Sequence, residues 1–211
     1  MQQQDSKAYA DLTEDLCKLA ESCGMEGNWL LGGSCGLWLQ GVELATVPRD
    51  IDVYADLVTA DRLHERLKSF ATDQPHHDQS GIYTSKLSHY RIGESTIELV
   101  GGFEVHTNGA FYRTEIEAVL APVAQRVKLR DSALWVMPLA HELVFNLLRG
   151  RPDRYLPIAG MMRKEPDRHL PLLDELLKRN EWSADWVGRM AELLDRPLLS
   201  RPWREYRGGE A

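Results

Sequence analysis

Two aspartates one residue apart, Asp50 and Asp52 in Arg49-Asp50-Ile51-Asp52-Val53-Tyr54, are the first place in this sequence where residue type and spacing could do chemistry. The segment alternates polar and apolar side chains, and residues two apart on a strand point to the same face. Both carboxylates can therefore act from one surface of a sheet. Glu98 in Ile97-Glu98-Leu99 offers a third from a later strand, with Glu104 between Phe103 and Val105 as the alternative. Clustered carboxylates repel one another unless cations neutralise them, and hard divalent ions such as Mg²⁺ take oxygen ligands and bridge phosphates. Upstream stands Gly32-Gly33-Ser34. Glycines ahead of a helix let backbone N–H groups come close to a phosphate, and the Ser34 hydroxyl adds a donor. The pattern offers a metal clamp and a phosphate cradle.

The elements around these residues follow from periodicity. Ala8, Leu12, Leu16, Leu19 and Cys23 fall at steps of three and four, which predicts an opening helix over 7–23 ended by Gly24. Residues 28–31 form a short apolar burst into the glycines, and Cys35, Leu37, Trp38, Leu39 and Val42 then suggest a buried helix, giving strand, glycine turn, helix. Thr59 is the expected cap of a helix running to about residue 70, and the polar stretch 72–80 reads as a loop. A β-hairpin over 82–105 turns at Gly93-Glu94-Ser95. A helix over 116–124, a strand pair over 127–137 and a helix over 138–148 closed by Gly150 follow. Leucines from 170 to 177, and Trp186, Val187, Met190, Leu193 and Leu194, predict two further helices, and residues 201–211 read as a loosely attached end.

Leu31-Gly32-Gly33-Ser34, then Leu37 and Leu39 before Gly41, then Arg49-Asp50-Ile51-Asp52-Val53 and Glu98, resemble the nucleotidyltransferases of the DNA polymerase β superfamily. The likeness spans roughly residues 24–105. It is strongest to the minimal bacterial branch that includes lincosamide and aminoglycoside nucleotidyltransferases and the nucleotidyltransferase-like toxins of abortive-infection systems. The resemblance implies an α+β fold, a mixed sheet flanked by helices, with a catalytic core over 1–125. Residues 126–211 would complete the sheet and add a small helical C-terminal subdomain. It implies Gly32, Gly33, Ser34 and Arg49 at the triphosphate, Asp50 and Asp52 as ligands of two Mg²⁺ ions, and Glu98 as the third carboxylate near the attacking hydroxyl. The implied partners are a nucleoside triphosphate and a small-molecule, protein or RNA acceptor. A catalytically weak or inactive member acting as a regulatory or toxin–antitoxin partner is the second reading. The segment 138–154 resembles the helix that follows the catalytic sheet, without the lysine often found there.

Composition narrows the rest. Apolar residues make up 43% and charged residues 27%, so wholesale disorder is excluded. No apolar run is long enough to span a bilayer and the first residues carry no leader pattern, so a cytoplasmic chain without a membrane partner is expected. Cys17, Cys23 and Cys35 show no paired spacing, which argues against a disulfide scaffold or zinc ribbon. Residues 1–125 hold 9 basic and 19 acidic side chains, and the remainder 16 and 13. That front half repels a phosphate backbone but suits divalent cations. The basic stretch Arg149, Arg151, Arg154, Arg163, Lys164 and Arg168 reads as a solvated face, His76-His77 as loop histidines, His141 as a surface or capping histidine, and Cys35 as core.

Overall fold

The computed structural model describes residues 2–24, 28–197 and 202–207. In chain order the elements are α1 (Gln2–Cys23), β1 (Trp29–Gly32), α2 (Gly33–Leu39), β2 (Asp50–Ala55), α3 (Leu57–Leu67), β3 (His76–Ser80), β4 (Tyr83–Ile92), β5 (Ser95–Thr107) and β6 (Ala110–Arg113). A π-helical turn, Ile116–Leu120, leads to β7 (Gln125–Leu129), β8 (Ser132–Val136), α4 (Leu139–Leu148), α5 (Pro152–Lys164), α6 (Pro166–Arg179), β9 (Glu181–Trp182), α7 (Ala184–Leu194) and β10 (Arg204–Glu205). One mixed sheet runs β10-β9-β6-β5-β2-β1-β8-β7, with β4 also paired to β5 and β3 to β4. The fold is α+β, as expected.

Strand alternation divides the core. Ile51, Val53, Ile97 and Leu99 face Leu12, Leu16 and Leu19 of α1 and Leu63 and Leu67 of α3. The opposite parity, Tyr54 and Val100, packs with the apolar faces of α4, α5, α6 and α7. Asp50, Asp52 and Glu98 share that second parity. β2 and β5 are parallel and in register, with Asp52 opposite Glu98 and Asp50 opposite Thr96. The carboxylates thus emerge where the helical C-terminal part meets the sheet.

The structure departs from the sequence expectations at four places. The helix expected behind Thr59 begins at Leu57 with Asp56 as N-cap. Thr59 is buried and donates to Glu117 Oε1 at 2.6 Å, while the Asp56 carboxylate accepts the N–H groups of Ile116 and Glu117 at 3.0 and 2.9 Å. The polar stretch 72–80 contains β3, an edge strand paired antiparallel to β4. Nearly all its side chains are exposed, so it carries no apolar alternation to read. α5 went unread because its buried stripe is thin, only Ile158, Ala159 and Met162. The C-terminal end is anchored over the described residues 202–207: β10 runs parallel to β9, the Tyr206 N–H donates to the Trp182 carbonyl at 3.0 Å, and Trp203 packs on the core. The rest of that segment, 201 and 208–211, lies outside the described residues.

Candidate active site

The glycine turn is built around a carboxylate. Gly33 takes φ +57°, and a Cβ placed on it would stand 1.7 Å from Asp52 Oδ2. Both the backbone and the contact require glycine there. The Gly33 N–H donates to Glu142 Oε1 of α4 at 2.8 Å, so it is turned toward the core and away from any phosphate in the cleft. What Gly33 supplies is room for Asp52. Gly32 packs on the Tyr54 ring and Met137 and does not reach the cleft. Ser34 and Arg49 do line it.

The cleft has a volume of about 640 Å³. Asp50, Asp52 and Glu98 line it from β2 and β5, and Arg149, Arg151 and Arg154 from the end of α4 and the start of α5. Tyr83, Phe103 and Phe145 give it an aromatic lining, and the β3–β4 arm brings Asp78, Ser80 and Ser85 to its rim. Glu104, the alternative third carboxylate, points elsewhere: it pairs with Arg113 at 2.6 Å and His106 at 3.1 Å.

Burial, then the negative charges of Glu98 and Asp50, push the Asp52 carboxyl up to about 7, against the pull of Arg149 and Arg154. Among the described residues no hydrogen bond reaches it. Burial also drives the Tyr54 hydroxyl beside Asp52 well above its ordinary value. Among the described residues no three His, Cys, Asp or Glu side chains are gathered into a metal cage. The donor set nevertheless suits a hard divalent cation: three carboxylates on adjacent strands, one of them buried and raised by burial and then by its neighbours' charge, are what such an ion relieves.

The expected solvated basic stretch divides in space. Arg149 lies over the Phe145 ring at 4.3 Å and donates to Asn146 Oδ1 through Nη2 at 2.8 Å and Nε at 3.2 Å. Arg154 is largely buried, and its Nη1 has no hydrogen-bond partner among the described residues. Arg151 is held by Asp153 in a two-point pair at 2.9 and 2.8 Å. Arg168 instead pairs with Glu165 and Gln125 on another surface.

His141 is not a surface or capping residue. It is fully buried, its Nδ1 lies 2.7 Å from the Tyr112 hydroxyl, and burial followed by the Arg149 charge lowers its pKa to about 3. Cys35 is core, its thiol donating to the Asp50 carbonyl at 3.2 Å. His76 and His77 lie on exposed β3, His76 stacked on His89, which bonds Asp73 at 2.6 Å.

Sequence reading passed over Glu142 and Asn146. All ten residues of α4 are buried, so a charged residue and an amide four apart in a helix that is otherwise apolar except for His141 were the available signal.

This cleft sits in a nucleotidyltransferase fold. A solved structure that aligns with the chain is TM1012 from Thermotoga maritima, a protein classed as a nucleotidyltransferase, at TM-score 0.58 and 21% identity over 75% of this chain and 94% of that one. A second is ANT(2")-Ia in complex with adenylyl-2"-tobramycin, at TM-score 0.45 and 9% identity over 81% of this chain and 98% of that one. At these identities the likeness is one of fold. No family model matches the sequence. No curated protein matches it either. No helix among the described residues is long and apolar enough to cross a membrane.

Proposed function

We propose that the chain is a Mg²⁺-dependent, cytoplasmic nucleotidyltransferase that moves a nucleoside monophosphate from a nucleoside triphosphate to an acceptor hydroxyl on a small molecule, protein or RNA. The observation that carries this reading is the in-register pair Asp52 and Glu98, with Asp50 beside it, sharing one cleft of this fold with three arginines. Asp50, Asp52 and Glu98 would hold the ions, which when bound supply charge neutralisation at the attacking and leaving oxygens.

The remaining work falls to the chain. Arg149 and Arg154 bind oxygens of the triphosphate, with guanidinium hydrogen bonds that strengthen as charge moves onto the leaving pyrophosphate. Ser34 and Arg49 contact the phosphates from the glycine-turn side. The acceptor oxygen bonds to the α-phosphorus as the bond from that phosphorus to the bridging oxygen breaks. Pyrophosphate leaves with that electron pair, and the acceptor proton passes to the Glu98 carboxylate. The aromatic lining of Tyr83, Phe103 and Phe145 keeps water from competing as acceptor.

Thermal unfolding with each nucleoside triphosphate, with and without Mg²⁺, tests this reading. The wild type is expected to gain stability only with metal and nucleotide together, and Asp50→Asn/Asp52→Asn to lose that gain. No gain with any nucleotide would overturn it.

A further inference from the structure

Glu142 takes no part in the chemistry above, and it lies behind the cleft, 1% exposed. Its Oε1 accepts the Gly33 N–H at 2.8 Å and its Oε2 accepts Asn146 Nδ2 at 3.1 Å. Asn146 is itself fully buried, and its Oδ1 accepts both Nε and Nη2 of Arg149. A continuous chain of hydrogen bonds therefore runs from the glycine turn that seats Asp52 to Arg149, which lines the same cleft. Burying a carboxylate is a poor route to stability, because an apolar side chain of similar volume is often neutral or better. A reason other than stability is needed for its presence in a helix that is otherwise core.

We propose that Glu142 is a positioning residue: through Gly33 on one side and Asn146–Arg149 on the other it holds the glycine turn and Arg149 of the nucleotide cleft at a fixed separation. The inference rests on the nucleotide-site reading above. Donor–acceptor parity makes the assignment specific. The Gly33 N–H and the Arg149 guanidinium are both obligate donors, and Asn146 passes one donor and one acceptor between them. Glu142 must then accept at both of its oxygens, which a carboxylate does and a carboxamide does not. A glutamine would keep the shape but meet Asn146 donor to donor, or turn Asn146 so that it meets Arg149 donor to donor. Replacing Asn146 by aspartate as well restores the order: glutamine accepts from Gly33 and donates to the aspartate, which accepts from Arg149. That variant gives up the bond from Asn146 Nδ2 to the carbonyl of residue 142, 2.7 Å long, so restoration is partial.

The test compares wild type, Glu142→Gln, Asn146→Leu and Glu142→Gln/Asn146→Asp. Ligand-free melting temperature and affinity for each Mg²⁺–nucleoside triphosphate are the readouts. Glu142→Gln is expected to melt below the wild-type temperature, because a buried donor then faces a donor, and its folded fraction to bind nucleotide about tenfold more weakly, as fits the loss of one charged hydrogen bond. Asn146→Leu breaks the chain at its middle link and is expected to show the same loss, which keeps the question open to test should Glu142→Gln fail to fold. The double variant is expected to recover to within about threefold of wild type. Wild-type affinity in both single variants, or a double variant no better than Glu142→Gln, would overturn the positioning role while leaving the nucleotide site standing. A wild type that binds no nucleotide would instead overturn the site, and this inference with it.

Discussion

Gly33 and Gly93 make the same local arrangement for different ends. Each has φ close to +57°, and each would put a Cβ within 2.0 Å of a carboxylate oxygen, Asp52 Oδ2 at the first and Asp15 Oδ1 at the second. Asp15 is buried and well bonded at one oxygen: its Oδ2 accepts the N–H groups of Glu94 and Ser95 at 3.2 and 3.1 Å and the Ser95 hydroxyl at 2.8 Å. Those bonds pin α1 to the β4–β5 turn. Asp52 receives none among the described residues, stands beside two other carboxylates, and is pushed up to about 7. One carboxylate is spent on structure. The other is held in an arrangement the fold alone would not favour, the kind of strain that the proposed site would relieve on binding a cation.

The largest expected effect separates the two turns by function. Gly33→Ala should lower nucleotide binding and transfer by more than about 100-fold, because the new methyl displaces Asp52 and sub-ångström placement governs such sites. Gly93→Ala should lose stability of the same origin, about 1–2 kcal/mol from the left-handed backbone alone, while its folded fraction binds nucleotide normally. Equal nucleotide responses in the two variants, read by isothermal titration, would erase the distinction.

Asp15→Ala comes next. Three donors lose a buried acceptor, and urea unfolding should register a loss of about 3 kcal/mol with the Mg²⁺–nucleotide shift intact. A loss below about 1 kcal/mol would mean that Asp15 is not the staple described here.

The pH dependence of the ligand-free protein sharpens the contrast. Asp52 has a folded pKa raised to about 7, against about 3.9 in an unfolded chain. Its contribution is therefore fully present below about pH 4 and lost as pH rises toward 7. Asp52→Asn removes that dependence, so its stability advantage over wild type should grow across this window to on the order of 4 kcal/mol. His141, lowered to about 3, works in the other direction: its contribution is present above about pH 6.5 and lost as pH falls toward 3. Melting curves of both proteins from pH 4 to 8 decide this, and parallel curves would refute the cost assigned to Asp52.

The smallest effect belongs to the rim. The exposed Arg151–Asp153 pair should contribute no more than about 0.5–1 kcal/mol, so Arg151→Ala should unfold close to wild type in urea. A larger loss would place Arg151 among the structural carboxylate partners rather than at the edge of the cleft.

Much of the front half was legible because periodicity and punctuation agree there. The stripe of α1, the apolar burst of β1, the glycines and the alternation of β2 each match the element found. The parity of Asp50 and Asp52, read as one face, follows from strand geometry and holds in the sheet. β3 and α5 escaped notice because an edge strand with polar faces and a helix with a thin apolar stripe leave weak periodic signals. His141 misled because a histidine at a helix start reads as polar surface, and its burial depends on Tyr54 and Tyr112 arriving from elsewhere in the chain.

The order glycine turn, aspartate pair, later glutamate is local information, set by side-chain type and the period of a strand, and the sequence by itself determined it. Which glutamate joins the pair, which arginines share its cleft, and where the Gly33 N–H goes were decided by tertiary structure. Glu98 meets Asp52 through β2–β5 register, and Glu142 reaches the turn, and Arg149 the cleft, from far along the chain. Contacts of that kind depend on how the two faces of the sheet are covered, and the α4–α7 face is closed by helices whose own periodicity says only that they are buried, not against what.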